Sequence, residues 1–211
     1  MNLLRRPFKY SYNNTIFILI GINLLIYLLM MITRNYQMVL MLSMRPYDII
    51  YQNRYWQVFT YMFIHDPNSI AHVAFNMFAL FLFGTQVERD IGSKEFLLYY
   101  LLTGTLAGLF SFAIYVFTGN MAVRLMGASG AIFAIQLAYA SLFPRNIVSI
   151  WGILPLRAPM MVLGFASLEI FFLLTGGRGN VAHMTHLAGF GFGYLYFLLR
   201  FGINPWRAMR R

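Results

Sequence analysis

The stretch RLMGASGAIFA, Arg124–Ala134, sets Gly127, Ala128, Ser129 and Gly130 side by side just ahead of an apolar run. A helix from Ser129 to Phe143 is about 22 Å long at the usual helical rise, too short to cross a hydrocarbon core of about 30 Å. Its first turn therefore starts below the membrane surface, with Ser129 at the floor of a polar cavity. The flanking glycines let other backbone approach, and the Ser129 N–H is among the donors that a helix N-terminus leaves without an acceptor. A hydroxyl and free donors at one point suit an attacking group and a developing oxyanion. A packing motif of small residues with serine as an ordinary N-cap would use the same letters. The pattern is GxSG, unlike the GxSxG elbow of soluble hydrolases, because Ala131 comes after Gly130.

The rest of the chain supplies the membrane. Of its 211 residues 60% are hydrophobic and 10% charged, against about 25% charged in an ordinary soluble domain. Six spans are predicted, at about 15–32, 71–86, 95–118, 129–143, 159–175 and 181–200. Several such runs cannot be one cleaved signal peptide. The second and fourth are short or interrupted, which neighbouring helices can shelter. The expected architecture is all-α, a polytopic bundle forming a single domain over 1–211. The long connection Arg34–Ile70 is rich in Met and aromatic residues, from Met41 to Phe63, and reads as short interfacial helices packed on the bundle.

Eleven of the sixteen Lys and Arg fall inside if the N-terminus is cytoplasmic, while Arg34, Arg45, Arg54, Arg124 and Arg178 fall outside. Both termini are then expected in the cytoplasm, and the cavity above Ser129 opens outward. The formal net charge of +10 is in this reading a topology signal and a contact with anionic lipid. Scattered over loops, it makes no nucleic-acid patch. The chain has no cysteine, which excludes disulfides, thiolate catalysis and Cys-based zinc sites.

Polar residues inside spans are costly and by default functional. His72 and Asn76, in AHVAFN, are four residues apart and share a helix face, so both can donate toward one point; gluing helices together is the plainer use. His186, in AHMTHLAG, opens the last span and precedes the GxxxG pair Gly189 and Gly193. Packed on the Ser129 helix, such a pair would bring an imidazole beside the hydroxyl, a nucleophile and its base. His183 reads as a solvated helix-end residue. Glu88, Arg89 and Asp90 read as an interfacial cluster capping their helix, and Glu169 is a carboxyl within the fifth span with no evident partner.

HxxxN on the second span, GxSG opening the fourth and HxxGxxxG on the sixth, in this order, closely resemble the rhomboid family of intramembrane serine proteases in its minimal six-helix bacterial form. GTQVERDIGS after the second span resembles the family's cytoplasmic loop. The resemblance implies Ser129 as nucleophile and His186 as general base, a dyad without a carboxylate. It further implies His72, Asn76 and the Ser129 N–H as the oxyanion hole, and Gly127, Gly130, Gly189 and Gly193 as supporting residues. Phe133 stands where the family often has a Tyr stacked on the catalytic histidine, and Trp56 and Gln57 stand where a Trp-Arg pair is often found.

The function that the resemblance implies is that of an endopeptidase acting on transmembrane helices of other proteins that unwind near the outer face. Its setting is a lipid bilayer, expected to be a bacterial inner membrane. No metal or cofactor is expected. Three other readings stand beside it. An inactive relative that binds or escorts transmembrane helices would not need Ser129, His186, His72 and Asn76 together. A zinc protease built on His72, His183 and His186 lacks a HExxH pair with its glutamate base. A transporter using Glu169 as proton carrier lacks internal symmetry.

Overall fold

Thr15–Thr33 carries no charge and forms the first long helix, α1, whose buried residues Ile16, Leu19, Asn23, Tyr27 and Met30 recur every three or four positions. That spacing puts them on one stripe. Most of the remaining surface, including Phe17, Ile18, Leu25 and Leu28, is apolar and exposed, as lipid-facing residues are. The computed structural model describes residues 7–33, 36–150, 152–175 and 180–211. Among the described residues four helical segments have the length and apolarity to cross a membrane: 15–33, 70–91, 93–117 and 158–175.

The connection after α1 folds into short helices, α2 (Tyr36–Leu42), α3 (Pro46–Gln52) and α4 (Gln57–Thr60), the last running into a 3-10 turn at Tyr61–Phe63. A buried ion cluster holds it together. Asp48 is 2% exposed and has Arg45 at 3.4 Å, Arg124 at 3.4 Å and Arg54 at 3.7 Å. Three arginines assigned by sequence to outer loops are thus gathered on one carboxylate. Gln57 joins the same scaffold: its Oε1 accepts from the Arg45 N–H, and its Nε2 donates to the carbonyls of Leu40 and Met41. Trp56 donates its indole N–H to Met41.

The second long segment is α5 (Ile70–Ala79), a wide π-type turn at Leu80–Gly84 and α6 (Thr85–Ile91). It runs beyond the expected end near residue 86. Glu88 is fully buried and accepts from the backbone N–H groups of Thr15 and Ile16 and from the Ser93 hydroxyl. It therefore caps α1, satisfying donors at another helix's N-terminus, and is no solvated cap of its own. Next comes α7, Ser93–Phe117, whose buried Glu95 takes Arg200 at 2.7 Å, the Tyr196 hydroxyl and the Phe8 N–H.

At the centre stands α8, Ser129–Leu142, fourteen residues of which eleven are buried. A short helix covered on every side belongs to a core, and its Gly and Ala residues let the surrounding helices come close. Beyond it a hairpin of β1 (Ile147–Ile150) and β2 (Leu154–Arg157) pairs Ile147 with Arg157 and Ile150 with Leu154. This hairpin was not expected; it is a small addition to a helical membrane bundle. α9 (Ala158–Thr175) and α10 (Asn180–Tyr196, extended by a π-type turn at Phe197–Phe201) complete the bundle before a last short helix, α11 (Pro205–Ala208).

Candidate active site

α8 and α10 touch through glycine. A Cβ on Gly189 would stand 2.1 Å from the Gly130 carbonyl oxygen, and one on Gly193 would stand 3.0 Å from the Ala134 Cβ. Only hydrogen fits at such a crossing. One turn before Gly189, His186 then lies beside the first residue of α8, with Nε2 2.7 Å from Ser129 Oγ. Phe133, one turn into α8, stacks on the imidazole at 4.3 Å between centroids and an interplanar angle of 8°. The ring-on-ring contact needs no tyrosine hydroxyl.

The pair is not alone. Glu169 on α9 places Oε1 3.0 Å from His186 Nδ1, and its Oε2 meets His183 Nδ1. An arrangement without a carboxylate, expected from the sequence, is therefore corrected: Ser129, His186 and Glu169 line up in hydrogen-bonding order. The correction extends to His183, which stacks on Phe172 at 5.3 Å and contacts Glu169, and so is no freely solvated helix end. An ionised carboxylate only accepts, so beside ionised Glu169 the neutral form of His186 carries its hydrogen on Nδ1 and leaves Nε2 to accept from Ser129.

His72 lies across from this line. The Ser69 side chain accepts from its backbone N–H and starts α5. The Asp66 N–H donates to His72 Nδ1 at 3.3 Å, which leaves the ring hydrogen of the neutral form on Nε2. Nε2 points at Gly127, where φ is +117° and a Cβ would stand 2.8 Å from Nε2 and 3.8 Å from Ser129 Oγ. Glycine here keeps open the space that the histidine donor and the serine hydroxyl share. Asn76 spends one amide hydrogen on the His72 carbonyl at 2.7 Å, and its second remains among the described residues.

The sequence left one neighbour of the site unmarked and another without its partner. His65 is fully buried and edge-on to His72 at 5.1 Å, and neither ring nitrogen has a partner among the described residues. Burial, and secondarily the neighbouring His72, pushes its pKa down to about 3. Nothing in FIHDPNS marks that role. Glu169 did carry a signal, an ionisable residue in an apolar span, but its partners lie on another helix. Beside the site an apolar cleft of about 500 Å³ opens between α5 and α9, lined by Phe75, Phe78, Ala79, Met161 and Phe165. Phe165 faces Phe133 at 6.4 Å. As for metals, among the described residues the His and carboxylate atoms that converge are those of Glu169, His183 and His186; His72 is not in the group, so the three-histidine zinc set is not assembled.

The family model for the Rhomboid domain matches residues 52–203. The chain is 30% identical over 135 residues to Rhomboid protease GluP of Bacillus subtilis, covering 62% of this chain and 26% of that protein. It is 30% identical over 189 residues to Rhomboid-like protein 15 of Arabidopsis thaliana, covering 83% and 44%. To the mitochondrial Presenilin-associated rhomboid-like protein of Rattus norvegicus it is 28% identical over 130 residues, covering 61% and 34%. The chain thus spans less than half the length of these relatives. With the domain match reaching from the loop ahead of His65 to the end of the last long helix, the chain belongs to the rhomboid family.

Proposed function

We propose that this integral membrane protein is an intramembrane serine endopeptidase that cuts transmembrane segments of other membrane proteins. The observation that carries the reading is the 2.7 Å contact between Ser129 Oγ and His186 Nε2, with the imidazole held by Phe133 on its face and Glu169 at its far nitrogen. A serine hydroxyl is a poor nucleophile until a base takes its proton.

Each residue then has a task. Ser129 Oγ attacks the scissile carbonyl as its proton passes to His186 Nε2. Glu169 holds the ring in the correct tautomer and stabilises the imidazolium that forms, without itself becoming protonated. The negative charge that develops on the carbonyl oxygen faces His72 Nε2–H, the second Asn76 amide hydrogen and the Ser129 N–H. His186 next gives its proton to the leaving amine, and water hydrolyses the acyl-enzyme by the same steps in reverse order. A peptide bond inside an intact helix is already hydrogen-bonded and shielded, so substrates are helices that unwind locally, and the apolar cleft between α5 and α9 suits their approach. The distribution of Lys and Arg supports cytoplasmic termini and a site open to the outer side, with a bacterial inner membrane as the setting.

Fluorophosphonate labelling of the detergent-solubilised protein, with the adduct located by peptide mass spectrometry, tests the reading. The expected result is one adduct, on Ser129, absent from Ser129→Ala and His186→Ala. A folded protein that gives no adduct, or one indifferent to His186, overturns it.

A further inference from the structure

His183 has no task in that reaction, yet it is bound into the site. Its Nδ1 contacts one oxygen of the carboxylate whose other oxygen meets His186 Nδ1. Glu169, His183 and His186 each offer one ligand atom, and these atoms all lie within 4.8 Å of one another. Two imidazole nitrogens and a carboxylate oxygen, with one position left for water, form a set that Zn2+ takes at about 2.0–2.2 Å in tetrahedral geometry. Bonds of that length put ligand atoms roughly 3–4 Å apart, so the side chains need only small shifts to close on an ion, the carboxylate backing away from His183 and the wider pairs drawing in. His183 and His186 are one helical turn apart on α10, and Glu169 faces them from α9. The three side chains are 19%, 16% and 12% exposed, enough for an ion to arrive without unfolding.

We propose that Glu169, His183 and His186 form an inhibitory Zn2+ site. The inhibitory part rests on the reading of Ser129 and His186 as nucleophile and base. A metal coordinates through a lone pair, so the hydrogen that His186 Nδ1 shares with Glu169 must leave that nitrogen. The neutral ring then carries its single hydrogen on Nε2. Nε2 now donates to Ser129 Oγ where before it accepted, and the serine loses its base. Glu169 exchanges its hydrogen bonds for the metal in the same event. Since no bond to Ser129 forms, removing the ion restores the original tautomer and the activity.

The experiment uses the full chain in detergent, treated with EDTA and then freed of chelator. Two quantities are read: the rate of fluorophosphonate labelling at Ser129 as ZnCl2 is titrated in, and metal binding itself, from the visible spectrum of added Co2+ and its displacement by Zn2+. The expected result is a tetrahedral Co2+ spectrum, labelling slowed tenfold or more by saturating Zn2+, and full recovery with EDTA. In His183→Ala and, separately, Glu169→Gln, metal affinity falls by at least the roughly 10–100-fold that loss of a ligand's supporting partner costs, and zinc no longer slows labelling relative to each variant's own metal-free rate. Equal zinc inhibition of the wild type and both variants, no Co2+ spectrum in the wild type, or zinc-accelerated labelling overturns the proposal. If the metal-free protein is not labelled at all, the protease reading fails, while the Co2+ spectrum still reports on the metal site.

Discussion

A Cβ on Gly189 would stand 2.1 Å from the carbonyl oxygen of Gly130. That contact fixes how closely α10 lies against α8, and so where His186 meets Ser129. Gly189→Ala is expected to force the helices apart, lowering the unfolding free energy by about 1–3 kcal/mol. Activity falls by more than that implies, since a misplacement of about 1 Å costs roughly a hundredfold. Thermal unfolding in detergent and Ser129 labelling, measured on the same preparation, check both; an alanine variant with unchanged labelling shows that the crossing does not set the site.

The tautomer that the Asp66 N–H imposes on His72 makes its Nε2–H a donor. His72→Ala should lower kcat about a hundred- to a thousandfold with little change in KM, as for the loss of one oxyanion donor in soluble enzymes. His72→Gln, which keeps a donor on a flexible stem, recovers part of the loss. Steady-state cleavage of a transmembrane substrate separates kcat from KM; a rise confined to KM would place His72 in substrate binding.

Glu169 is separated from Ser129 by the imidazole, so in the proposed reaction its effect is on orientation. In Glu169→Gln the amide can donate to Nδ1 and favour the wrong tautomer. With EDTA present, kcat is expected to drop by more than about tenfold, toward the roughly 10⁴-fold loss known for the same change in a soluble triad. KM should hold. An unchanged kcat removes Glu169 from the mechanism.

His65 gives an acid-sensitive stability. Its ordinary pKa of about 6.5 in the unfolded chain falls to about 3 when buried, so below pH 6.5 the unfolded state binds a proton that the folded state refuses. Its contribution is intact above about pH 6.5 and is lost as the pH falls from there toward 3, by about 1.4 kcal/mol for each pH unit. Melting temperatures between pH 7.5 and about 5 should decline less steeply in His65→Phe than in the wild type. Parallel curves would mean that His65 titrates normally.

Ala79 lines the cleft between α5 and α9. Ala79→Trp is expected to fill it and to slow cleavage of a transmembrane substrate while Ser129 still reacts with a small fluorophosphonate. Equal loss of both activities would mean damage to the site itself.

The bundle was legible because its signals are local. Runs such as Thr15–Thr33 announce themselves by length, and His72 with Asn76, or His186 with Gly189 and Gly193, by helical spacing. The contact between Ser129 and His186 could be anticipated from small residues on both helices. Glu169 could not be joined to His186, because pairing across helices depends on the rotation of α9 about its axis, and lipid-exposed α9 carries no amphipathic stripe to reveal that rotation. Arg45, Arg54 and Arg124 looked like scattered loop charges because their common partner, Asp48, is brought to them only by folding. The hairpin at 147–157 was missed for its brevity, with four residues per strand.

α9 buries Ala158, Met161 and Val162 near its start and little beyond, yet it carries the carboxylate that steadies His186. Any outward tilt of this helix, of the kind that would widen the cleft for an arriving segment, also draws Glu169 away from the imidazole. In the proposed reaction such a tilt would leave the imidazole held by Phe133 alone, so that the width of the cleft and the orientation of the ring answer to one helix.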